Sequence, residues 1–266
     1  MFGGIVLCGG LSTRMGRPKA LLPWRARTLV EHVVGVLRQA VDDVVVVTSA
    51  ELALPPLDAR VVRDREPKLG PLGGIREGLE ASRAELCYVT SVDAPFLTAG
   101  FVRKMLSYGG AAAPEVDGFV QSLSAAYPTS LAPKAAGLIA ANRMRPLFLL
   151  EAGGFRKIAP AELPDIESLQ NINTSDGYLE ALRRDGASMR ATVELLGLAR
   201  AKSGLATLDV DAGRLGDVLR AVEARTSLAL DGRFLVSLNG QQFVRDPGVA
   251  VGPGDRVIVM DAAAGG

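Results

Sequence analysis

Apolar residues in this chain fall into short dense runs separated by stretches of helical period. Ile5-Val6-Leu7-Cys8, Val44-Val45-Val46-Val47, Arg60-Val61-Val62-Arg63 and Leu86-Cys87-Tyr88-Val89-Thr90-Ser91-Val92 read as strands. Where such a run is apolar at consecutive positions, it suits a strand covered on both faces of a sheet. Between the runs, Leu29, Val33, Val36, Leu37 and Ala40 recur near helical spacing and predict a helix over 29–40. A second helix is predicted over 72–84, and Thr98 is placed to cap a third that reaches Tyr108. Repeated strand-helix units predict a mostly parallel sheet with helices on both faces.

Past about residue 185 the pattern changes. Arg184-Asp185-Gly186-Ala187-Ser188 is a polar, small-residue junction, after which 191–198 and 206–210 read as a strand pair. An amphipathic helix is predicted over 215–224. Phe234-Leu235-Val236-Ser237-Leu238 runs into Asn239-Gly240, a strong hairpin signal. Gly252-Pro253-Gly254-Asp255 then turns the chain into a last strand, 256–260. The order strand-strand-helix-strand-strand is that of a ubiquitin-like roll. The expected organisation is therefore an α/β domain over 1–186 and a small α+β domain over 189–266.

Composition narrows the function classes. With 48% hydrophobic and 22% charged residues, the 266-residue chain can bury a real core. The net charge of +1 makes no case for a nucleic-acid partner. Cys8 and Cys87 both sit in apolar runs with no Cys-x-x-Cys, which argues against a zinc site or a disulfide framework. The single histidine, His32, excludes mechanisms that need two, and its place inside a predicted helix suggests a structural role. The N-terminal residues read as neither a signal peptide nor a membrane span, so a cytoplasmic chain is expected.

The candidate chemistry begins after the first strand, at Leu7-Cys8-Gly9-Gly10-Leu11-Ser12-Thr13-Arg14-Met15-Gly16-Arg17-Pro18-Lys19. Glycines let backbone approach a phosphate and turn N–H groups toward it, while Arg14 and Lys19 add positive charge. The loop is neither a Walker A sequence nor Gly-x-Gly-x-x-Gly. Asp93 falls where a strand should end at the carboxyl edge of the sheet, the edge at which open α/β sheets bind ligands. A turn or helix-cap aspartate is the alternative there.

The same residues carry a family resemblance. The loop resembles the signature of nucleotidyltransferases that act on sugar phosphates, and most closely that of the molybdenum-cofactor guanylyltransferases (MobA-like). Asp64 followed by Gly70-Pro71-Leu72-Gly73-Gly74-Ile75, then Ser91-Val92-Asp93-Ala94-Pro95-Phe96-Leu97, then Asn171-Ile172-Asn173-Thr174-Ser175-Asp176 resemble further motifs of that family, with Ser175 in place of its usual proline. The resemblance implies a Rossmann-like three-layer sandwich. It implies GTP as substrate, molybdopterin or the molybdenum cofactor as acceptor, and Mg²⁺ held by Asp93. It assigns catalysis to Arg14, Lys19 and Asp93. Nucleotide contacts fall to Leu7, Cys8, Gly9, Gly10, Lys19, Asp64, Gly73 and Asp93, and the acceptor side to Asn171, Asn173 and Gln121. Relatives often carry Asn after the second strand, where this chain has Thr48-Ser49. Arg143 and Arg145 read as a solvated helix end.

Residues 189–266 resemble small ubiquitin-fold (β-grasp) sulfur carriers, the small subunit of molybdopterin synthase (MoaD-like) and the thiamine sulfur carrier (ThiS-like). The matching residues are Leu196-Gly197-Leu198-Ala199-Arg200, Val236-Ser237-Leu238-Asn239-Gly240, Gly252-Pro253-Gly254-Asp255-Arg256-Val257 and the final Gly265-Gly266. That likeness implies a Gly266 thiocarboxylate made by an E1-like adenylyltransferase and used with the molybdopterin synthase large subunit. The rival readings are a nucleotidyltransferase using CTP or a sugar-phosphate acceptor, and a sulfur carrier or interaction protein with an inactive transferase domain. A tail serving thiamine synthesis or protein tagging is a further alternative.

Overall fold

Consecutive buried residues on the first strands leave no face for water, and helices cover both sides of the sheet they form. A computed structural model of the chain describes residues 1–9, 17–64, 66 and 69–261. The chain divides into two units, each with its own core. The first comprises the described residues among 1–11, 19–21 and 28–171, and the second those among 12–18, 22–27 and 172–266.

In the first unit, strands β1 (Phe2–Cys8), β2 (Asp43–Thr48), β3 (Arg60–Arg63), β4 (Leu86–Ser91), β5 (Ala112–Val116), β6 (Phe119–Val120), β7 (Ser124–Pro128) and β8 (Arg156–Ile158) form one sheet. Its order is β8-β5-β7-β4-β1-β2-β3, with β6 paired to β5. The strands β4, β1, β2 and β3 run parallel, but β7 is antiparallel to both β4 and β5. Strand β8 is parallel to β5, so the sheet is mostly parallel, as expected, and β6 and β7 are the strands that run against the rest. Asp117-Gly118, both at positive φ, reverse the chain between β5 and β6, and β7, like β6, runs antiparallel to β5 with no crossover helix before it.

Alternation across these strands sorts the two helical layers. Ile5, Leu7, Val45, Val47 and Val89 pack with Leu72, Ile75 and Leu79 of α2 (Gly70–Ala81), Ala135 of α4 (Ala132–Ala140) and Leu149 of α5 (Pro146–Gly153). The opposite face is covered by α1 (Leu29–Arg38) and α3 (Ala99–Leu106). There a Cβ on Gly4 of β1 would meet Leu37, and Tyr88 of β4 lies edge-on to Phe101. The predicted Thr98 cap forms, accepting from the Phe101 N–H at 3.2 Å, and α1 opens on a capping box between Thr28 and Glu31 that was not predicted. No helix among the described residues is long and apolar enough to cross a membrane.

The second unit gathers α6 (Ser175–Arg184) with strands β9 (Arg190–Leu195), β10 (Thr207–Asp211), β11 (Phe234–Leu238), β12 (Gln242–Phe243) and β13 (Arg256–Asp261). The sheet order is β10-β9-β13-β11-β12, with β9 and β13 parallel at its centre and the flanking pairs antiparallel. Helix α7 (Gly197–Ser203) follows β9, and α8 (Leu215–Thr226) crosses between the two strand pairs. Ala191, Val193 and Leu195 of β9 alternate inward to meet Leu215, Val218 and Val222 of α8. Each such aliphatic side chain contributes roughly 1.5–3 kcal/mol when fully buried. The Asn239-Gly240 hairpin forms with both residues at positive φ. One expectation is corrected. Gly197-Leu198-Ala199-Arg200 does not extend the strand; it opens α7, because the Asp261 carboxylate accepts from the Leu198 N–H at 2.6 Å and turns the chain there.

Polar contacts hold outlying segments into this unit. Asp255 is 1% exposed and accepts from Arg17 Nη1 at 2.6 Å, Asn239 Nδ2 at 2.8 Å and the Gly252 N–H at 2.8 Å. The buried Tyr178 hydroxyl donates to the Pro23 carbonyl at 2.6 Å, and Arg25 pairs with Asp185.

Candidate functional site

The carboxyl ends of β1 and β4 are neighbours by register. Leu7 faces Ser91, and the Val92 N–H donates to the Leu7 carbonyl at 3.1 Å. The chain leaving β4 therefore presents Asp93 beside Cys8 and Gly9. Ser91 ends β4 and Asp93 lies in the turn that follows, where the Ser91 hydroxyl donates to Asp93 Oδ1 at 2.5 Å.

Lys19 enters from the short 3-10 turn Lys19–Leu21, anchored by the buried Ala20. Its Nζ donates to Asp93 Oδ2 at 2.6 Å, with side chains 18% and 14% exposed. A serine, a lysine and an aspartate thus converge at the sheet edge, each partly open to solvent or to a ligand. Gly9 is exposed, and a Cβ built on it would meet nothing within 4 Å, so backbone is accessible where the loop begins. Cys8 is not a nucleophile. Burial first, and the nearby Asp93 charge second, push its thiol up to about 12.

His32 of α1 sits behind the Asp93 turn, with its Nε2 2.8 Å from the Pro95 carbonyl. The carbonyl can only accept, so the ring donates. This places the histidine in the frame of the site. Ser91 was not singled out from sequence, although a Ser-x-Asp spacing at a strand end was a usable signal.

The remaining candidates are placed as follows. Asp64 follows β3 at the same edge of the sheet; its N–H donates to the Thr48 carbonyl at 2.8 Å, and its Oδ1 accepts from the Glu66 N–H at 3.0 Å. Thr48 is 1% exposed, and its hydroxyl has no partner among the described residues. Gly73 and Gly74 open α2, and both have internal reasons to be glycine: a Cβ would lie 2.6 Å from Leu69 Cβ and 3.1 Å from Leu7 Cδ2 respectively. Gln121 is held in its turn by its N–H, which donates to the Pro114 carbonyl at 2.8 Å, while its Nε2 reaches the Phe119 carbonyl at 3.4 Å. Asn171 and Asn173 are exposed on either side of the buried Ile172, as alternation requires. Thr174 caps α6, accepting from the Gly177 N–H at 3.1 Å, so neither asparagine is used as the cap. Arg143 is exposed and stacks over the Phe148 ring at 4.2 Å. Gly10, Arg14, Gly265 and Gly266 lie outside the described residues.

The site fits a divalent cation in one particular way. Among the described residues no three His, Cys, Asp or Glu side chains cluster as a metal cage. Mg²⁺ is commonly held by one or two carboxylates plus phosphate oxygens and water, and the partly exposed Asp93 at the sheet edge suits that arrangement.

Known proteins share this framework. The family described as MobA-like NTP transferase domain matches residues 4–153. A protein named probable molybdenum cofactor guanylyltransferase, from Mycobacterium bovis, is 37% identical over 183 residues, covering 65% of this chain and 90% of the relative. The crystal structure of molybdopterin-guanine dinucleotide biosynthesis protein A from Archaeoglobus fulgidus superposes with a TM-score of 0.59 at 22% identity, covering 69% of this chain and 98% of that one. That of 2-C-methyl-D-erythritol 4-phosphate cytidylyltransferase from Thermus thermophilus does so with a TM-score of 0.52 at 21% identity, covering 69% and 100%. These two likenesses are of fold alone.

Proposed function

Because the chain belongs to the MobA-like NTP transferase family and is a nucleotidyltransferase, we propose that its first unit transfers GMP from GTP to the phosphate of molybdopterin or its molybdenum-loaded form. An acceptor phosphate oxygen attacks the α-phosphorus, the bond to the α,β-bridging oxygen breaks, and pyrophosphate leaves. The reaction depends on positioning and charge, so the chain need not supply a nucleophile. Asp93 would hold Mg²⁺, which when bound would offset the negative charge of the phosphates. Lys19 stabilises the charge that grows on the α-phosphate and on pyrophosphate, with Arg14 of the same loop assisting. The start of the loop at Leu7, Cys8, Gly9 and Gly10 offers backbone to the nucleotide. Asp64 and Gly73 belong to the base side of this reading, and Asn171, Asn173 and Gln121 to the acceptor side.

The Lys19–Asp93 pair at the carboxyl ends of β1 and β4 carries this proposal. The mycobacterial relative's name supports guanylyl transfer as the particular chemistry. The test is pyrophosphate release from each of the four nucleoside triphosphates, with and without molybdopterin and Mg²⁺. Release confined to GTP with acceptor is expected; a preference for CTP, or release with a sugar phosphate in place of the pterin, would redirect the assignment.

The second unit we propose to be a β-grasp sulfur carrier that bears sulfur on Gly266, next to Gly265. Support comes from the strand order β10-β9-β13-β11-β12, with the first and last strands parallel at the centre. An E1-like adenylyltransferase would activate the carboxylate, and the molybdopterin synthase large subunit would receive the sulfur. Intact-mass measurement after incubation with such an enzyme, ATP and a sulfur source should show a gain of about 16 Da as one oxygen is replaced by sulfur. No gain would leave this unit as an interaction module.

A further inference from the structure

The turn after Asp93 is held from two sides by side chains remote in sequence. Ser168, in the 3-10 turn Ile166–Leu169, is fully buried at 0% exposure. Its oxygen accepts from the Thr98 N–H at 3.1 Å. Its single proton lies within reach of Asp165 Oδ2 at 3.1 Å and the Phe96 carbonyl at 3.3 Å. Asp165 is itself fixed, because its Oδ1 accepts from the Glu167 N–H at 3.0 Å. On the other flank His32 donates to the Pro95 carbonyl. Two backbone groups of one turn, Pro95 C=O and Thr98 N–H, are thereby bonded by side chains from outside it, and Phe96 C=O competes with Asp165 for the Ser168 proton. The Leu97 N–H closes the turn on the Ala94 carbonyl at 3.3 Å.

A hydroxyl buried this completely is unfavourable unless its hydrogen bonds are made, and an alanine of nearly the same volume would fill the space without that penalty. The polar choice at 168 therefore has to be explained by what it holds. It holds the turn that begins at Asp93, from a position three residues before Asn171. We propose that Ser168 and His32 are positioning residues for Asp93. His32 and Ser168 clamp the backbone over 95–98, so that the carboxylate keeps its place against Lys19 and Ser91. Ser168 in addition ties the segment leading to Asn171 to the same turn. The inference rests on Asp93 being the metal-holding carboxylate.

The test is Mn²⁺ binding to the full chain in the presence of GTP, followed by calorimetry or electron paramagnetic resonance without turnover, alongside kcat, KM and thermal unfolding. Partners one shell out from a metal ligand typically change affinity or activity 10–100-fold when removed. Ser168→Ala should therefore weaken Mn²⁺ binding by about tenfold or more while the KM for GTP moves by less than about threefold. His32→Leu, at a half-buried position, should do the same, and His32→Gln, whose amide can still donate to Pro95, should recover most of the loss. Wild-type Mn²⁺ affinity in folded Ser168→Ala or His32→Leu overturns the clamp, as does failure of His32→Gln to improve on His32→Leu. Asp93→Asn separates the two claims. If that variant binds Mn²⁺ as the wild type does, the reading of Asp93 itself fails.

Discussion

Lys19 Nζ and Asp93 Oδ2 lie 2.6 Å apart although 74 residues separate them in the chain. Both side chains are less than one-fifth exposed, so water screens the pair only in part. The pair brings the end of the glycine-rich loop to the end of β4 and sets a cationic donor beside a carboxylate at the edge of the sheet.

Removing either member should disable transfer without unfolding the chain. Lys19→Met and Asp93→Asn are each expected to lower kcat by roughly 10²–10³, the usual effect of deleting one preorganised charge-stabilising group. Circular dichroism should stay unchanged. Steady-state pyrophosphate release provides the check, and a loss under tenfold in both variants would exclude the pair from the chemistry.

Thiol chemistry should be irrelevant to activity. Burial, and then the Asp93 charge, push Cys8 up to about 12. Burial pushes Cys87 up to about 11, against an opposing Ser82 hydrogen bond. At pH 8 both are almost wholly protonated and inaccessible, so iodoacetamide should leave the native chain unlabelled and active. Rapid alkylation with loss of activity would contradict the burial of Cys8 beneath the site.

Asp43 should contribute to acid lability. Burial alone would raise its carboxyl, but hydrogen bonds from the Arg83 N–H, the Ser82 hydroxyl and Arg60 outweigh it and hold the group below its usual range. A depressed folded-state value stabilises the chain above the unfolded value, near pH 4, and this contribution is lost as pH falls through the folded value. Asp43→Asn should therefore destabilise the chain at pH 7 and flatten the fall in stability below about pH 4. Chemical denaturation across that range measures both effects.

The second unit should be sensitive at Asp255. Its pair with Arg17 is almost fully buried, at 1% and 8% exposed. Taking one partner from a buried ion pair strands the other charge, at a cost of about 3–5 kcal/mol. Asp255→Ala should lower stability on that scale, and Arg17→Met combined with Asp255→Ala should recover part of it. Trp24, the only tryptophan and buried in the same unit, supplies the fluorescence signal.

The two units were legible in the sequence to different depths. β-branched runs such as 44–47 mark central strands because only a doubly covered sheet can bury them. Asn239-Gly240 marks its hairpin because both residues accept positive φ. Helices α4 and α5 were given no ranges, only a helix end at Arg143 and Arg145, which fall between the two. Pro146-Leu147-Phe148-Leu149-Leu150 is apolar all round and has no helical stripe to read. Helix α7 was read as strand because the signal that opens it is the Asp261 carboxylate, 63 residues away. The same limit applies at the site. Lys19 and Asp93 were recognisable as motif residues, but the contact between them is tertiary. Ser168 belongs to no motif, and its role is visible only once the turn at 95–98 is folded against it.

Guanylyl transfer is tested most directly by following the α-phosphate of GTP. The chain is incubated with GTP labelled at the α-position, molybdopterin and Mg²⁺, and the products are separated. The account predicts label in a pterin–guanine dinucleotide, one pyrophosphate per dinucleotide, and no product with Asp93→Asn. Label that stays in GTP or appears as free GMP, or an equal yield from α-labelled CTP, would contradict it.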